Sequence, residues 1–226
     1  GLRLPRADLS SFAELAELAD EVAPDLAPVR SLAHALLSGR EPRAPRKPAG
    51  LRARLRPYQR AGFAWLVSLA RHGLSGCLAD DMGLGKTVQA IALMQYLMEN
   101  EEEPATRRGG FLVVAPVSTL GNWVREAKRF APGLSTRVHH GPARTADPEE
   151  LTAVNLVVTS YATAMRDGAV LGDVRWRLVV LDEAQAIKNP YARTTRSVKH
   201  IESDLRLCLP GTPVENLTTD PWSTMD

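Results

Sequence analysis

The chain predicts an α/β domain, a mainly parallel sheet covered by helices on both faces, and three observations predict it. Short apolar runs alternate with stretches of helical periodicity, the order that builds strand-helix-strand units. The run Leu178-Val179-Val180-Leu181 is apolar without a break, as a strand buried on both faces must be. A glycine-containing turn at Gly83 and Gly85 joins another apolar run directly to a helix-patterned stretch.

The elements follow in order. Residues 1–39 form a helical segment that precedes the domain, with Leu9, Phe12, Leu15, Ala16, Leu18 and Ala19 on one stretch and Val29, Leu32, Ala33, Leu36 and Leu37 on another. Pro24 and Pro28 separate the two. Residues 40–54, rich in proline and arginine, read as a basic extended linker that solvent surrounds. The domain proper takes residues 55–226. A helix opens near Pro57, whose fixed φ and missing N–H suit a first helical position, and turns Phe63, Leu66, Val67 and Leu69 inward. A strand is expected at 76–79, a helix from Thr87 with Val88, Ile91, Ala92, Met94, Tyr96 and Leu97, and a charged surface loop at 100–110. Strands at 111–115, 136–139 and 156–159, a helix around 120–130, the strand ending at Asp182, a helix at 192–201 and a strand at 205–209 complete the series.

Two segments carry chemistry. In Asp80-Asp81-Met82-Gly83-Leu84-Gly85-Lys86-Thr87, glycines let backbone N–H groups curl around phosphate oxygens, and the helix that follows points its positive end at the same anion. Lys86 then reaches the β and γ phosphates and the Thr87 hydroxyl ligates Mg²⁺. Position 80 is aspartate where the strict phosphate-loop spacing has glycine. The second segment, Asp182-Glu183-Ala184-Gln185, follows the apolar strand at its C-terminal end, the edge where open α/β sheets bind ligands. Asp182 is placed to hold Mg²⁺ and Glu183 to orient or deprotonate an attacking water. Together the segments make a nucleotide triphosphatase site.

Composition narrows the class. With 226 residues and 44% hydrophobic content the chain buries one good-sized core. A formal net charge of +2 gives no global field of the sort a dedicated basic nucleic-acid binder carries, so any such partner meets local patches. Cys77 and Cys208 each sit in an apolar run and read as small buried hydrophobes of a reducing compartment rather than a disulfide or metal site. No run reaches the length of a membrane span, and a cytoplasmic setting is expected.

Six segments in order resemble the SWI/SNF family of helicase-like ATPases. They are Leu55-Arg56-Pro57-Tyr58-Gln59, residues 79–87, Val114-Ala115-Pro116-Val117-Ser118-Thr119-Leu120-Gly121-Asn122-Trp123, Val158-Thr159-Ser160-Tyr161, residues 182–190, and Gly211-Thr212-Pro213-Val214-Glu215-Asn216. The wording of residues 182–190 is most similar to bacterial members. The resemblance implies the first of two RecA-like lobes of an ATP-driven translocase on double-stranded DNA. It implies that Gln59 reads the adenine edge, that Met82, Gly83, Leu84, Gly85, Lys86 and Thr87 hold ATP with Mg²⁺, and that Gln185 senses the nucleotide. Gly211, Thr212 and Pro213 are implied to couple hydrolysis to lobe movement. Pro116, Ser118, Asn122, Trp123, Thr159, Ser160 and Tyr161 are implied to meet the DNA backbone, contacts that position without reading sequence.

The chain departs from the family at two prolines. Pro210 stands where most members have a hydroxyl residue before Gly211, and Pro221 where a leucine is expected before Trp222. The chain begins at Gly1 and ends at Asp226 just beyond the third motif, so it is expected to be a piece of a longer protein, without the second lobe and its arginine fingers. Such groups supply about 10³ to 10⁵ in rate, so the piece alone is expected to be nearly inactive. An RNA-directed helicase lobe and a non-catalytic nucleotide-binding or interaction module remain as alternatives.

Overall fold

A computed structural model of the chain describes residues 45–81, 83–100, 108–184, 198 and 200–211. In chain order these form α1 (Pro57–Arg71), β1 (Gly76–Cys77), α2 (Lys86–Glu99), β2 (Arg108–Ala115), α3 (Val117–Phe130) and β3 (Thr136–His139). A 3₁₀ turn (Gly141–Ala143) leads to α4 (Pro148–Thr152), β4 (Leu156–Ser160), α5 (Tyr161–Arg166), α6 (Gly168–Gly172), β5 (Arg175–Asp182) and β6 (Ser203–Leu209). The strands make one sheet in the order β1-β6-β5-β2-β4-β3, each neighbouring pair parallel. Every strand therefore ends on the same edge, and that edge collects the loops where the chemistry was expected.

Alternation along the strands feeds two cores. Phe111, Val113 and Ala115 face one side with Phe63, Leu66, Ile91, Met94, Leu120 and Ala127 of α1, α2 and α3. Leu112 and Val114 face the other with Leu151, Ala164 and Leu171 of α4, α5 and α6, and with Val198 and Ile201. The sheet is covered on both faces, as the apolar strands require. Helix α2 packs against both α1 and α3, and its positions 88–95 are buried all round, so Gln89 and Gln95 go inside along with Ile91 and Met94. Each such large apolar side chain stabilises the fold by about 1.5–3 kcal/mol.

Several boundaries differ from expectation. The strand expected from 111 starts at Arg108, inside the stretch read as a charged loop. Gly110 lies against the backbone of Asn155 with no room for a Cβ, and the Phe111 N–H donates to the Asn155 carbonyl at 2.7 Å. A glycine pair that suggests a loop is here a place of close approach, to the Asn155 backbone at Gly110 and to the Val174 side chain at Gly109. Helix α3 opens at Val117, earlier than 120, because extended Pro116 serves as its N-cap. Strand β1 is two residues long, although the Leu78 N–H continues the pairing to the Cys208 carbonyl at 2.9 Å.

The expected solvated linker is a packed strap over its last residues. Leu51 and Ala53 are 1% and 6% exposed, and the Arg52 N–H donates to the Phe130 carbonyl at 2.7 Å. The Ala49 and Gly50 N–H groups donate to the Glu99 carboxylate at 2.8 and 2.6 Å, tying the strap to the end of α2. Arginines 52, 54 and 56 stay exposed, so the composition reported the outer side of the strap alone. The helical segment at 1–39 and, apart from residues 198, 200 and 201, the helix expected at 192–201 lie outside the described residues. Helices α4, α5 and α6 were not anticipated: runs of five or six residues are too short to show a period.

Candidate active site

The phosphate loop leaves β1 and ends in α2. Gly83 and Gly85 both take φ of +79°, a conformation glycine adopts without strain. Gly85 is the N-cap of α2, so the first N–H groups of a 14-residue helix face the loop. A Cβ at Gly85 would stand 2.5 Å from the Gln59 Nε2, whereas one at Gly83 would meet nothing within 4 Å. Thus glycine is demanded by packing at 85 and by backbone conformation at both. The Lys86 ammonium folds back over the loop and donates to the Asp80 carbonyl at 2.6 Å and to the Asp81 carbonyl at 3.3 Å.

Two glutamines hold this loop from below. Gln59 donates through Nε2 to the Leu84 carbonyl at 3.0 Å while its Oε1 accepts the Arg56 N–H at 2.9 Å. Gln89, fully buried, donates to the Asp80 carboxylate at 3.1 Å and to the Gly85 carbonyl at 3.4 Å. Asp80 thus brings a carboxylate for Gln89 to grip where the strict spacing has glycine. The brace formed by Asp80 and Gln89 was missed by sequence reasoning; its one signal is a glutamine amid the apolar run 88–94.

The second half of the site caps β5, which lies between β6 and β2. Two strand spacings separate β5 from β1, about 10 Å. Pro210 and Gly211, both buried, follow β6 and so leave the sheet between the two halves. The Asp182 Oδ2 accepts the Trp123 indole N–H at 2.8 Å, and its Oδ1 accepts the Glu183 N–H at 3.1 Å. The Tyr161 hydroxyl donates to the Asp182 carbonyl at 2.7 Å. Burial pushes the Asp182 carboxyl above the usual carboxylate range; the Trp123 hydrogen bond opposes this, the Glu183 charge adds to it, and the Lys86 charge opposes it. The influence of Lys86 on Asp182 means that the two halves share one electrostatic environment. Glu183 has φ of +52°, the sole non-glycine residue with positive φ among the described residues. Such a conformation is retained only where surrounding contacts enforce it.

The residues expected to meet DNA divide sharply. Pro116, Ser118 and Asn122 start α3 at the sheet edge, with Ser118 exposed and the other two half-buried. Asn122 is already used on its own helix, donating to Glu126 at 3.1 Å and accepting from Arg125 at 3.2 Å. Trp123, Thr159 and Ser160 turn inward. They are 1%, 0% and 1% exposed, and their polar atoms serve Asp182, the His139 carbonyl and the start of α5 respectively. Tyr161, half-buried, spends its hydroxyl on Asp182. Met82, Gln185, Thr212 and Pro213 lie outside the described residues.

Residues 58–226 match the family model described as the SNF2-related domain. The chain belongs to the SNF2-related family. Among relatives, the Bacillus subtilis protein YwqA, described as an ATP-dependent helicase/translocase, is 41% identical over 175 residues, 76% of this chain and 18% of that protein. The Arabidopsis thaliana ATP-dependent DNA helicase DDM1 is 38% identical over 181 residues, 76% of this chain and 23% of that one. The Sulfolobus solfataricus SWI2/SNF2 ATPase core, solved in complex with double-stranded DNA, superposes with a TM-score of 0.69 at 40% identity, covering 79% of this chain and 36% of that one. This SNF2-related chain therefore spans under a quarter of the two relatives and about a third of the solved core. The RecA-like parallel lobe of that core is the fold described above, and nucleotide use goes with the family.

Proposed function

We propose that this chain is the ATP-binding lobe of an ATPase that moves along double-stranded DNA and is switched on by it. One observation carries the proposal: a phosphate loop, an Asp-Glu turn and the starts of α3 and α5 share one edge of one parallel sheet. The loop N–H groups and Lys86 would hold the phosphates of ATP, and Thr87 and Asp182 would hold Mg²⁺. Hydroxyl and carboxylate oxygens are the donors a hard cation takes, and the glycine cradle leaves room above Gly83. When bound, the cation neutralises charge on the β and γ phosphates.

The protein's own groups do the rest. Glu183, held at a strained turn beside Asp182, would orient the attacking water and accept its proton. Gln59 would read adenine, sharing or exchanging a hydrogen bond it now makes to the loop or to Arg56. Gln185, Gly211, Thr212 and Pro213 would pass the nucleotide state to a second RecA-like lobe. Ser118 and the exposed start of α3 would meet the DNA backbone, contacts that carry no sequence preference. The setting proposed with this reading is cytoplasmic and bacterial, on nucleoid DNA.

The test is ATP hydrolysis by the chain extended through a second lobe, with and without duplex DNA, single-stranded DNA or duplex RNA. Strong stimulation by duplex DNA is expected, with hydrolysis abolished and ATP binding kept in Glu183→Gln. A preference for RNA would replace the translocase with an RNA helicase. ATP binding with no response to any nucleic acid would leave a nucleotide-binding docking module.

A further inference from the structure

Among the described residues, three groups donate to Asp182, and two come from helices that start at the proposed DNA face. Trp123 lies on α3 and reaches the carboxylate at 2.8 Å; Tyr161 is the first residue of α5 and reaches the backbone carbonyl at 2.7 Å. The third donor is the neighbouring Glu183 N–H. Trp123 was expected at the DNA and is instead buried beneath it, with its one polar atom aimed at the residue proposed to hold the cation. The two helices approach from opposite sides. Trp123 belongs to the core under α1, α2 and α3, while Tyr161 packs against the core under α4, α5 and α6.

We propose that Trp123 and Tyr161 are positioning residues that transmit DNA occupancy to Asp182, so that the catalytic carboxylate takes its working orientation when duplex DNA seats on the starts of α3 and α5. This rests on the DNA-dependent ATPase reading given above. From Val117 to Trp123 the helix rises about 9 Å, and a helix moves over that length as a rigid lever. A shift at its start is carried to the indole N–H, hence to the carboxylate oxygen it grips. Tyr161 adds a fixed point on the main chain of the same residue, at the strand end rather than on the side chain. With both donors present, a movement of the two helices turns the carboxylate about its own backbone. Without them Asp182 keeps, of these three donors, only the Glu183 N–H, and no hydrogen bond ties it to either helix. Such coupling is reciprocal: if DNA tunes the cation-binding carboxylate, bound nucleotide tunes DNA affinity by the same factor.

The two-lobed protein is the form to test, as wild type, Trp123→Phe and Tyr161→Phe. Both substitutions keep an aromatic ring and remove the donor; Tyr161→Phe deletes a single hydroxyl and leaves the fold intact even where the tryptophan change does not. The expected result is a fall of about tenfold in the ratio of DNA-stimulated to basal kcat. In parallel, the effect of a non-hydrolysable ATP analogue with Mg²⁺ on duplex DNA affinity should shrink toward none. A spectroscopic readout stands beside these. With 5-fluorotryptophan incorporated throughout, the ¹⁹F resonance lost in Trp123→Phe should shift when duplex DNA is added without nucleotide. Equal loss of basal and stimulated rates, an unchanged DNA-nucleotide linkage or a ¹⁹F resonance indifferent to DNA would overturn the proposal. An absence of DNA stimulation in the wild type would instead overturn the translocase reading beneath it.

Discussion

The phosphate loop and the Asp-Glu turn sit on one sheet edge but are held in different ways. The loop leans on one face of the sheet alone, through Gln59 of α1 and Gln89 of α2. The turn is gripped from both faces, by Trp123 of α3 and Tyr161 of α5. The loop's support is also incomplete, since the buried Gln89 Oε1 finds no partner among the described residues, whereas both carboxylate oxygens of Asp182 are used. A buried amide oxygen left unpaired costs about 1–3 kcal/mol. The contrast teaches that the loop proposed to take phosphate is braced from one side, whereas the turn proposed to hold a cation is braced from two.

The largest effects should come from removing the group each half exists to present. Lys86→Ala should weaken ATP·Mg²⁺ affinity by about a hundredfold, the scale of a charge-assisted contact pair. Asp182→Asn should leave ATP affinity within a few-fold but abolish hydrolysis and the response to Mg²⁺ concentration. Isothermal titration with ATP, with and without Mg²⁺, separates these outcomes. Equal loss of ATP affinity in both variants would mean that the halves do not divide the work as proposed. Next in size is Ile91→Ala beneath the loop, a fully buried position, with an expected loss of about 2–5 kcal/mol in urea unfolding.

How much of this was legible in the sequence follows the same division. The glycines, Lys86, the apolar strand and the two carboxylates are local features, and their chemistry can be read from adjacent residues. The alternating order of strands and long helices likewise announced the sheet and its first face. Trp123 could be read as a packing residue but its partner could not, because a tryptophan on a helix start looks the same whether its indole N–H points to solvent or to a residue 59 positions away. Thr159 and Ser160 end a strand buried throughout, and strand burial was the better guide to their side chains than their place beside a DNA-facing helix. Leu51 and Ala53 escaped notice because exposed Arg52 and Arg54 alternate with them, so the buried positions were hidden by composition.

Smaller effects sharpen the contrast between the loop and the turn. Gln89→Ala removes the grip on Asp80 and on the Gly85 carbonyl, so KM for ATP should rise several-fold with kcat little changed. Steady-state kinetics on the two-lobed protein decide this, and a fall in kcat at constant KM would place Gln89 with the turn rather than the loop. Asp147→Ala, which removes the side-chain acceptor for the Glu149 N–H at the start of the five-residue α4, should cost about 1 kcal/mol. That helix serves neither half of the site, so its loss should leave ATP affinity alone.

The finest comparison uses the two thiols as reporters. Cys77 on β1 and Cys208 on β6 are cross-strand partners, and burial pushes their thiols up to about 11 and about 12. Neither presents thiolate at pH 8, so alkylation there should be slow and limited by opening of the strands. Because both values are raised above the ordinary 9.0, their contribution to stability is complete below pH 9 and is lost as the pH climbs through 11 and 12. Strand β1 is two residues long and, among the described residues, pairs only with β6, whereas β6 is held on both sides, so Cys77 should be alkylated a few-fold faster than Cys208. Saturating ATP·Mg²⁺ should slow Cys77, beneath the loop, more than Cys208. Peptide mapping after timed iodoacetamide treatment reads both rates, and equal protection of the two thiols by nucleotide would mean that loop and turn open as one unit.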